Sequence, residues 1–133
     1  MNAGQKTFVV VLPLLLVAAG CRRSAQPTVA HHRLPNGIYK TRAGCDVNYP
    51  SVNLRMSMQE EVEWQSADQQ YTVVFQTSPF IDSNHPSQSF TVLANGAVDS
   101  GVPVVTGYFE YSIKDSTGNE CKSAKDPGVN VKP

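Results

Sequence analysis

The amino-acid sequence predicts an all-β domain, folded as an antiparallel β-sandwich. Residues 71–75 and 107–113 alternate large apolar or aromatic side chains with polar ones, the period of two expected for a half-buried strand. Turn signals such as Asn95-Gly96 separate these segments from other short ones. No segment after residue 20 keeps a helical period, and short strands separated by turns are typical of a sandwich.

The other strands are predicted from the same alternation. Residues 52–58 alternate apolar with polar side chains, and the apolar face consists of Val52, Leu54, Met56 and Met58. In residues 60–64, Val62 and Trp64 point inward, which leaves the glutamates on the solvent face. Residues 89–93 and 129–131 predict a further strand and a short closing strand.

The first 36 residues are predicted to lie outside the folded domain. Residues 7–17 form an apolar run that is too short for a permanent membrane span, and a short segment with one positive charge precedes it, as in a secretory signal. We therefore predict a signal peptide at residues 1–20, a flexible tether at residues 21–36 and the sandwich domain at residues 37–133. The folded domain is expected to begin at Gly37 or at Cys45.

The small residues directly before Cys21 resemble the lipobox of bacterial lipoproteins. In that family the signal is cut before the cysteine, whose sulfur and new amino terminus then carry lipid. The resemblance implies a lipid anchor at Cys21, with the domain held at a membrane of the cell envelope and facing the periplasm or the exterior. The alternative is ordinary cleavage near Gly20, which leaves Cys21 as a free thiol.

Cys45 and Cys121 remain as a pair once Cys21 is assigned to the anchor. Outside the cytoplasm such a pair is expected to form a disulfide. Closing so long a loop contributes roughly 4 kcal/mol in the chain-entropy model. The alternative is two free buried thiols.

Charge and motif content exclude several classes of function. The chain has 11 basic and 11 acidic residues, without a basic patch for nucleic acid or an acidic tract for a polycation. The sequence lacks a Gly-x-Ser-x-Gly motif, a P-loop, a Rossmann glycine pattern and a Cys/His cluster with zinc spacing. We therefore expect no catalytic residues and no enzymatic activity.

The pattern Gly-x-Phe-x-Tyr-x-Ile at residues 107–113 resembles the Gly-x-Tyr-x-Tyr/Phe-x-Cys segment of the cupredoxins, the Greek-key sandwiches of blue copper proteins. Residues 60–64 and 71–75 resemble two further strands of that family, so the resemblance covers about residues 47–131. It implies a cupredoxin fold. It also implies that the family's copper-ligating cysteine falls on Ile113 and its first copper-ligating histidine on Tyr71.

This sequence lacks the copper ligands of the cupredoxins at the matching positions. A type 1 copper centre needs two imidazoles, a thiolate and a weak axial ligand. Ile113 and Tyr71 supply neither thiolate nor imidazole, and no histidine follows residue 113. Cys121 lies in the right loop region, but pairing with Cys45 would consume its sulfur. We therefore expect no metal cofactor at the former ligand positions.

Five other side chains are weaker candidates for metal ligands. His85 is the only imidazole of the predicted domain, and a lone histidine in a loop is ordinarily solvated. The adjacent His31 and His32 lie in the predicted tether without a third ligand nearby. Met56 and Met58 have a spacing that fits a Cu(I) thioether pair, but their place on the apolar face favours core packing.

The sequence thus predicts a non-enzymatic, envelope-anchored, cupredoxin-like lipoprotein domain that acts by binding or scaffolding, without a type 1 copper site. The expected partners are the membrane, through Cys21, and an envelope protein, whereas nucleic acid is not expected. One alternative is a periplasmic copper-binding or electron-transfer protein with copper as cofactor at an atypical site. The second alternative is an immunoglobulin-like binding module with the same β patterning.

Overall fold

The structure is a computed structural model that describes residues 32–81 and 86–133. The strands in these ranges are β1 His32–Thr41, β2 Gly44–Val47, β3 Ser51–Arg55, β4 Glu60–Ser66, β5 Tyr71–Phe75, β6 Gln88–Val92, β7 Gly96–Asp99, β8 Gly107–Lys114 and β9 Gly128–Lys132. A 3₁₀ turn at Met56–Met58 joins β3 to β4. None of the helical structure in the described ranges is long and apolar enough to span a membrane.

The strands form two sheets packed face to face, so the predicted all-β sandwich is confirmed. One sheet has the order β2-β1-β4-β7 and the other has the order β3-β9-β8-β5-β6. Most neighbouring strands are antiparallel, but β1 pairs in parallel with β4, and β3 pairs in parallel with β9. These two pairs correct the expectation of an antiparallel sandwich. Side chains alternate with a period of two in either pairing, so the sequence pattern does not distinguish them.

The core lies between the sheets and centres on Trp64 of β4, which is fully buried. Its indole packs against four aromatic rings at centroid distances of 5.0–6.4 Å, namely those of Phe75, Phe80, Phe90 and Tyr111. Aromatic pairs of this kind add about 0.5–1.5 kcal/mol each beyond the burial of their surface. Three of the rings belong to the facing sheet, so this cluster ties the two sheets together.

Strand β1 begins earlier than the sequence predicted. Residues 32–36, which belong to the predicted tether, pair with residues 60–64 of β4. Asn36 is fully buried, and its amide donates to the Tyr49 carbonyl and accepts from the Tyr49 N–H at 2.9 and 3.0 Å. Polar residues obscure this half-strand because they break the apolar alternation. The predicted signal peptide, Cys21 and the rest of the tether lie outside the described residues.

The first two glutamates of β4 are buried, which corrects their predicted place on the solvent face. Glu61 alternates to the outer face, but Arg33 of β1 covers it, with Nε 3.2 Å from Glu61 Oε1 and 3.2 Å from Asp99 Oδ2. Glu60 accepts from the backbone N–H and the guanidinium of Arg55 at 2.7 and 3.3 Å. Both arginines come from other strands, which the alternation within β4 cannot reveal.

Met56 and Met58 do not extend β3. The strand ends at Arg55, and residues 56–58 form a 3₁₀ turn closed by Gln59, whose N–H donates to the Met56 carbonyl at 3.0 Å. Met56 packs partly against the core, whereas Met58 is 41% exposed. The predicted strand is therefore wrong from residue 56 onward, whereas the predicted core packing holds in part for Met56 and not for Met58.

Candidate functional site

The two former ligand positions lie together on the inner face of the larger sheet. Strands β5 and β8 pair antiparallel with Val73 opposite Ile113, so Tyr71 is the diagonal neighbour of Ile113 across the pair. Both residues are almost completely inaccessible to solvent. The structure thus brings together the positions that the resemblance assigns to a copper-ligating cysteine and histidine.

The sulfur nearest in the chain to Ile113 belongs to Cys121, and it is not free. Cys45 and Cys121 form the predicted disulfide, with their Cα atoms 5.1 Å apart. The backbone N–H of Cys121 donates to the Ile113 carbonyl at 2.7 Å, which holds this segment alongside the end of β8. The disulfide therefore fastens the segment after β8 to β2 in the other sheet.

The hydroxyl of Tyr71 belongs to a hydrogen-bond network centred on Asp68. It donates to Asp68 Oδ2 at 3.0 Å and accepts from Gln69 Nε2 at 3.1 Å. Asp68 also accepts from the backbone N–H groups of Lys40 and Gln69 at 2.9 and 2.7 Å, and from the Ser66 hydroxyl at 3.1 Å. One carboxylate thus joins β1, the end of β4 and the start of β5.

The pKa shifts in this network favour a charged carboxylate beside a neutral phenol. Burial raises the pKa of Asp68, but hydrogen bonds from the backbone of Lys40 and Gln69 and from the hydroxyls of Tyr71 and Ser66 outweigh it, so the pKa lies below its usual value. Burial raises the pKa of Tyr71, and the neighbouring Asp68 charge raises it further, whereas the hydrogen bond from Gln69 lowers it. The phenolate, which is the form that binds a metal, is therefore disfavoured.

The network continues into the segment between β8 and β9. The Ser116 hydroxyl donates to Gln69 Oε1 at 2.8 Å. In the same segment, Asp115 Oδ1 accepts from the Thr117 N–H, the Thr117 hydroxyl and the Asn119 N–H. Sequence reasoning missed the role of Asp68, although a carboxylate three residues before a tyrosine in a turn was a usable signal.

Another pair of polar groups is buried in the aromatic cluster. Within the described part of the chain, the Trp64 indole nitrogen and the Tyr111 hydroxyl make no hydrogen bond of normal geometry. Burial raises the pKa of Tyr111 to about 12, and the nearby indole N–H opposes the rise. An unpaired hydroxyl in a core is destabilising, so this pair is a place where substitution should strengthen the fold.

The described residues contain no group of three or more His, Cys, Asp or Glu side chains placed to hold a metal ion. His32 is the one histidine among them, at the start of β1. His31 and His85 lie outside the described residues, so their predicted solvated roles stay predictions.

No family model and no curated protein matches the sequence. Solved structures do match, among them a reduced Cu(I) form at pH 4 of an amicyanin variant and the oxidised form of another amicyanin variant. The chain is 13% and 14% identical to them, with TM-scores of 0.53 and 0.54, and each match covers 79% of this chain and 87% of the other. The domain has a cupredoxin-like fold. At this level of identity the match describes the fold alone.

The cupredoxin-like fold favours the cupredoxin interpretation over the immunoglobulin-like alternative. It also allows the fit of a type 1 copper ion to be tested on the side chains present. Ile113 is aliphatic, the Tyr71 hydroxyl is hydrogen-bonded as a neutral phenol, and the Cys121 sulfur is in a disulfide. These residues do not fit a centre that needs a thiolate and imidazoles.

Proposed function

We propose that this protein is a non-enzymatic domain of the cell envelope that acts by binding or scaffolding and has no type 1 copper site. One observation carries the proposal, namely the pair of side chains at the former ligand positions. Ile113 has no lone pair to offer, and the Tyr71 hydroxyl is engaged by Asp68 and Gln69. Packing and hydrogen bonds close this end of the sandwich where a blue copper protein would use metal.

Copper titration of the full chain tests the proposal. The protein, with its disulfide intact and in detergent, is titrated separately with Cu(II) and Cu(I), and amicyanin is treated in parallel as the positive control. We expect a colourless protein that retains far less than one copper per chain after desalting. An intense thiolate-to-copper absorption band would refute the proposal, because it requires a cysteine ligand.

The lipid anchor is a separate part of the proposal and is supported by the lipobox-like residues before Cys21. Metabolic labelling with a radioactive fatty acid tests it. We expect label on the wild-type chain and none on Cys21→Ser, which should also leave the membrane fraction. Equal labelling of both chains, or of neither, would contradict the anchor and favour ordinary signal cleavage.

A second candidate function is copper binding at an atypical site. The His32 N–H donates to the Gln59 carbonyl at 3.3 Å, which places His32 beside the turn that contains Met56 and Met58. Thioethers and imidazoles are suitable ligands for Cu(I), and Met58 is 41% exposed. In the same titration, one tightly held Cu(I) that is lost in Met58→Leu and in His32→Ala would favour this function. Retention of that copper in both variants would direct attention to His85.

A further inference from the structure

The outer face of the smaller sheet carries a groove of about 700 Å³. Gly37 of β1 lies opposite Gln65 of β4, which lies opposite Ala97 of β7. These residues form a row across three strands, which at the usual spacing is about 10 Å wide. Gly37 has no side chain and Ala97 has a small one, so the row forms a floor that is shallow on both sides of Gln65. The flanking positions on the same face carry the larger side chains of Tyr39, Asn48 and Asn95.

The side chains around this floor are neutral, and most of them have no protein partner. Tyr39 is 43% exposed, and in the described ranges no hydrogen bond involves the side chains of Tyr39, Asn48 or Asn95. Gln65 donates through Nε2 to Glu63 Oε1 at 2.6 Å, which leaves its amide oxygen available. Each free amide offers two N–H donors and one acceptor oxygen.

Backbone hydrogen bonds fix the places of Asn48 and Asn95 in the fold before any ligand arrives. The Asn48 N–H donates to the Gly37 carbonyl at 2.9 Å, and a Cβ atom at position 37 would lie 2.6 Å from Asn48 Nδ2. The absence of a side chain at Gly37 therefore lets the Asn48 amide lie close to β1. Asn95 occupies a left-handed turn position, with φ of 57°, in a turn closed by the Gly96 N–H bonded to the Leu93 carbonyl.

Among the residues that the structure describes, those that line the groove are all uncharged. Two carboxylates border it on the outer face, and both are already engaged. Glu63 accepts from Gln65, and Asp46, which lies opposite Tyr39 on β2, accepts from the Val47 N–H at 2.9 Å. An anionic ligand would find no positive charge among the lining residues, and a cationic ligand would find negative charge only at the border, so the lining itself favours an uncharged ligand.

We propose that this groove binds a neutral glycan chain, an inference that rests on the proposed function and names its ligand class. A sugar ring has an apolar C–H face and a rim of hydroxyls that both donate and accept. Tyr39 and the small floor residues match the face, because tyrosine offers a rigid, amphipathic contact surface. The amides of Asn48, Gln65 and Asn95 match the rim.

An extended peptide fits the groove less well. Peptides that add to a sheet bond to the unpaired backbone of an edge strand. The groove lies over β4, whose backbone is already paired with β1 on one side and with β7 on the other. Only side chains are left to make polar contacts there, which is the arrangement that hydroxyl-rich ligands use.

NMR titration of the isotopically labelled full chain tests the inference, in a zwitterionic detergent without a sugar headgroup. Chitotetraose, maltotetraose and cellotetraose are the probes, and each is added separately up to 10 mM. We expect at least one probe to bind with a Kd at or below about 1 mM. The largest shifts should occur in the side-chain amide signals of Asn48, Gln65 and Asn95.

Two tyrosine substitutions form a matched pair for this test. Tyr39→Ala removes the ring of the groove and should weaken binding at least tenfold. Tyr108→Ala removes a ring that is 52% exposed on β8 of the other sheet, and it should change the Kd less than twofold. Wild-type spectra for both variants, apart from signals near the substitution, establish that each one is folded.

Three results would overturn the glycan site. They are the absence of binding by all three tetrasaccharides, binding that Tyr39→Ala leaves unchanged, and tighter binding of a basic or acidic peptide at the same amides. Each of these results can be told apart from failure of the proposed function, because the copper titration tests that function separately. A copper-free protein that binds none of the saccharides would overturn this inference alone.

Discussion

Removing the Tyr71 hydroxyl should lower the free energy of unfolding by about 1 kcal/mol. Tyr71→Phe deletes the hydrogen bonds to Asp68 Oδ2 at 3.0 Å and from Gln69 Nε2 at 3.1 Å. Hydrogen bonds to charged groups contribute roughly 1.5–3 kcal/mol where water is excluded. Asp68 is exposed, so water replaces the lost hydroxyl, and we expect the smaller loss of about 1 kcal/mol. Phenylalanine keeps the rest of the ring packing, so no cavity forms.

Asp68→Ala should lower the free energy of unfolding by about 1–2 kcal/mol, because it also removes the acceptor of the Lys40 and Gln69 N–H groups. Urea unfolding of both single variants and the double variant, with the disulfide intact, gives their coupling energy. We expect a coupling of about 0.5–1 kcal/mol. Tyr49→Phe, at a tyrosine that is 59% exposed, is the control and should change stability by less than about 0.5 kcal/mol.

The pH dependence of the Asp68 contribution is fixed by the direction of its pKa shift. The pKa of Asp68 is lower in the folded state than its value of about 3.9 in the unfolded chain. Its contribution is therefore fully present above that unfolded value and is lost as the pH falls through the lowered folded value. The stability difference between wild type and Asp68→Ala should be constant from about pH 5 to 7 and shrink below about pH 4. Additive single-variant effects, or a difference independent of pH, would refute the network as described.

Three further predictions concern the disulfide, the buried hydroxyl and the covered glutamate. Replacing both Cys45 and Cys121 by Ala should lower the free energy of unfolding in urea by about 4 kcal/mol, and a loss below about 1 kcal/mol would contradict its loop-closing role. Tyr111→Phe should raise the free energy of unfolding by about 1 kcal/mol, because it removes a buried unpaired hydroxyl, and a decrease would show that the hydroxyl has a partner. Arg33→Ala should lower the free energy of unfolding by about 1–2 kcal/mol, because it uncovers the buried Glu61 carboxylate, and Arg33→Lys should restore the lost stability. An unchanged urea midpoint in Arg33→Ala would contradict this role of Arg33.

The parts of the fold that the sequence predicted are those governed by local alternation. Residues 71–75 are buried at every second position. In β8 the same alternation buries Tyr111 and Ile113 and partly buries Phe109, so the period of two reflects packing against the core. The same pattern aligned Tyr71 and Ile113 with the former ligand positions, and the structure places them as diagonal neighbours. The disulfide followed from the compartment and from the count of cysteines.

The parts that the sequence did not predict depend on pairs far apart in the chain. Arg33 covers Glu61 only because β1 pairs in parallel with β4, and nothing in either strand specifies that pairing. Asp68 is a network centre only because the backbone of Lys40 and the Tyr71 hydroxyl meet at its carboxylate. The groove over Gly37 likewise needs three strands in register before its neutral lining exists.

Stability in the presence of copper is the most direct test of the central claim, that hydrogen bonds and packing close this end of the cupredoxin-like fold in place of metal. A ligand that binds the native state raises the free energy of unfolding by about 2.7 kcal/mol at 100 times its Kd, wherever its site lies. Urea unfolding of the full chain, with its disulfide intact, is measured without metal and with excess Cu(I) or Cu(II). We predict superimposable curves. A rise of about 1 kcal/mol or more with either ion that is unchanged in Met58→Leu and in His32→Ala would contradict the account.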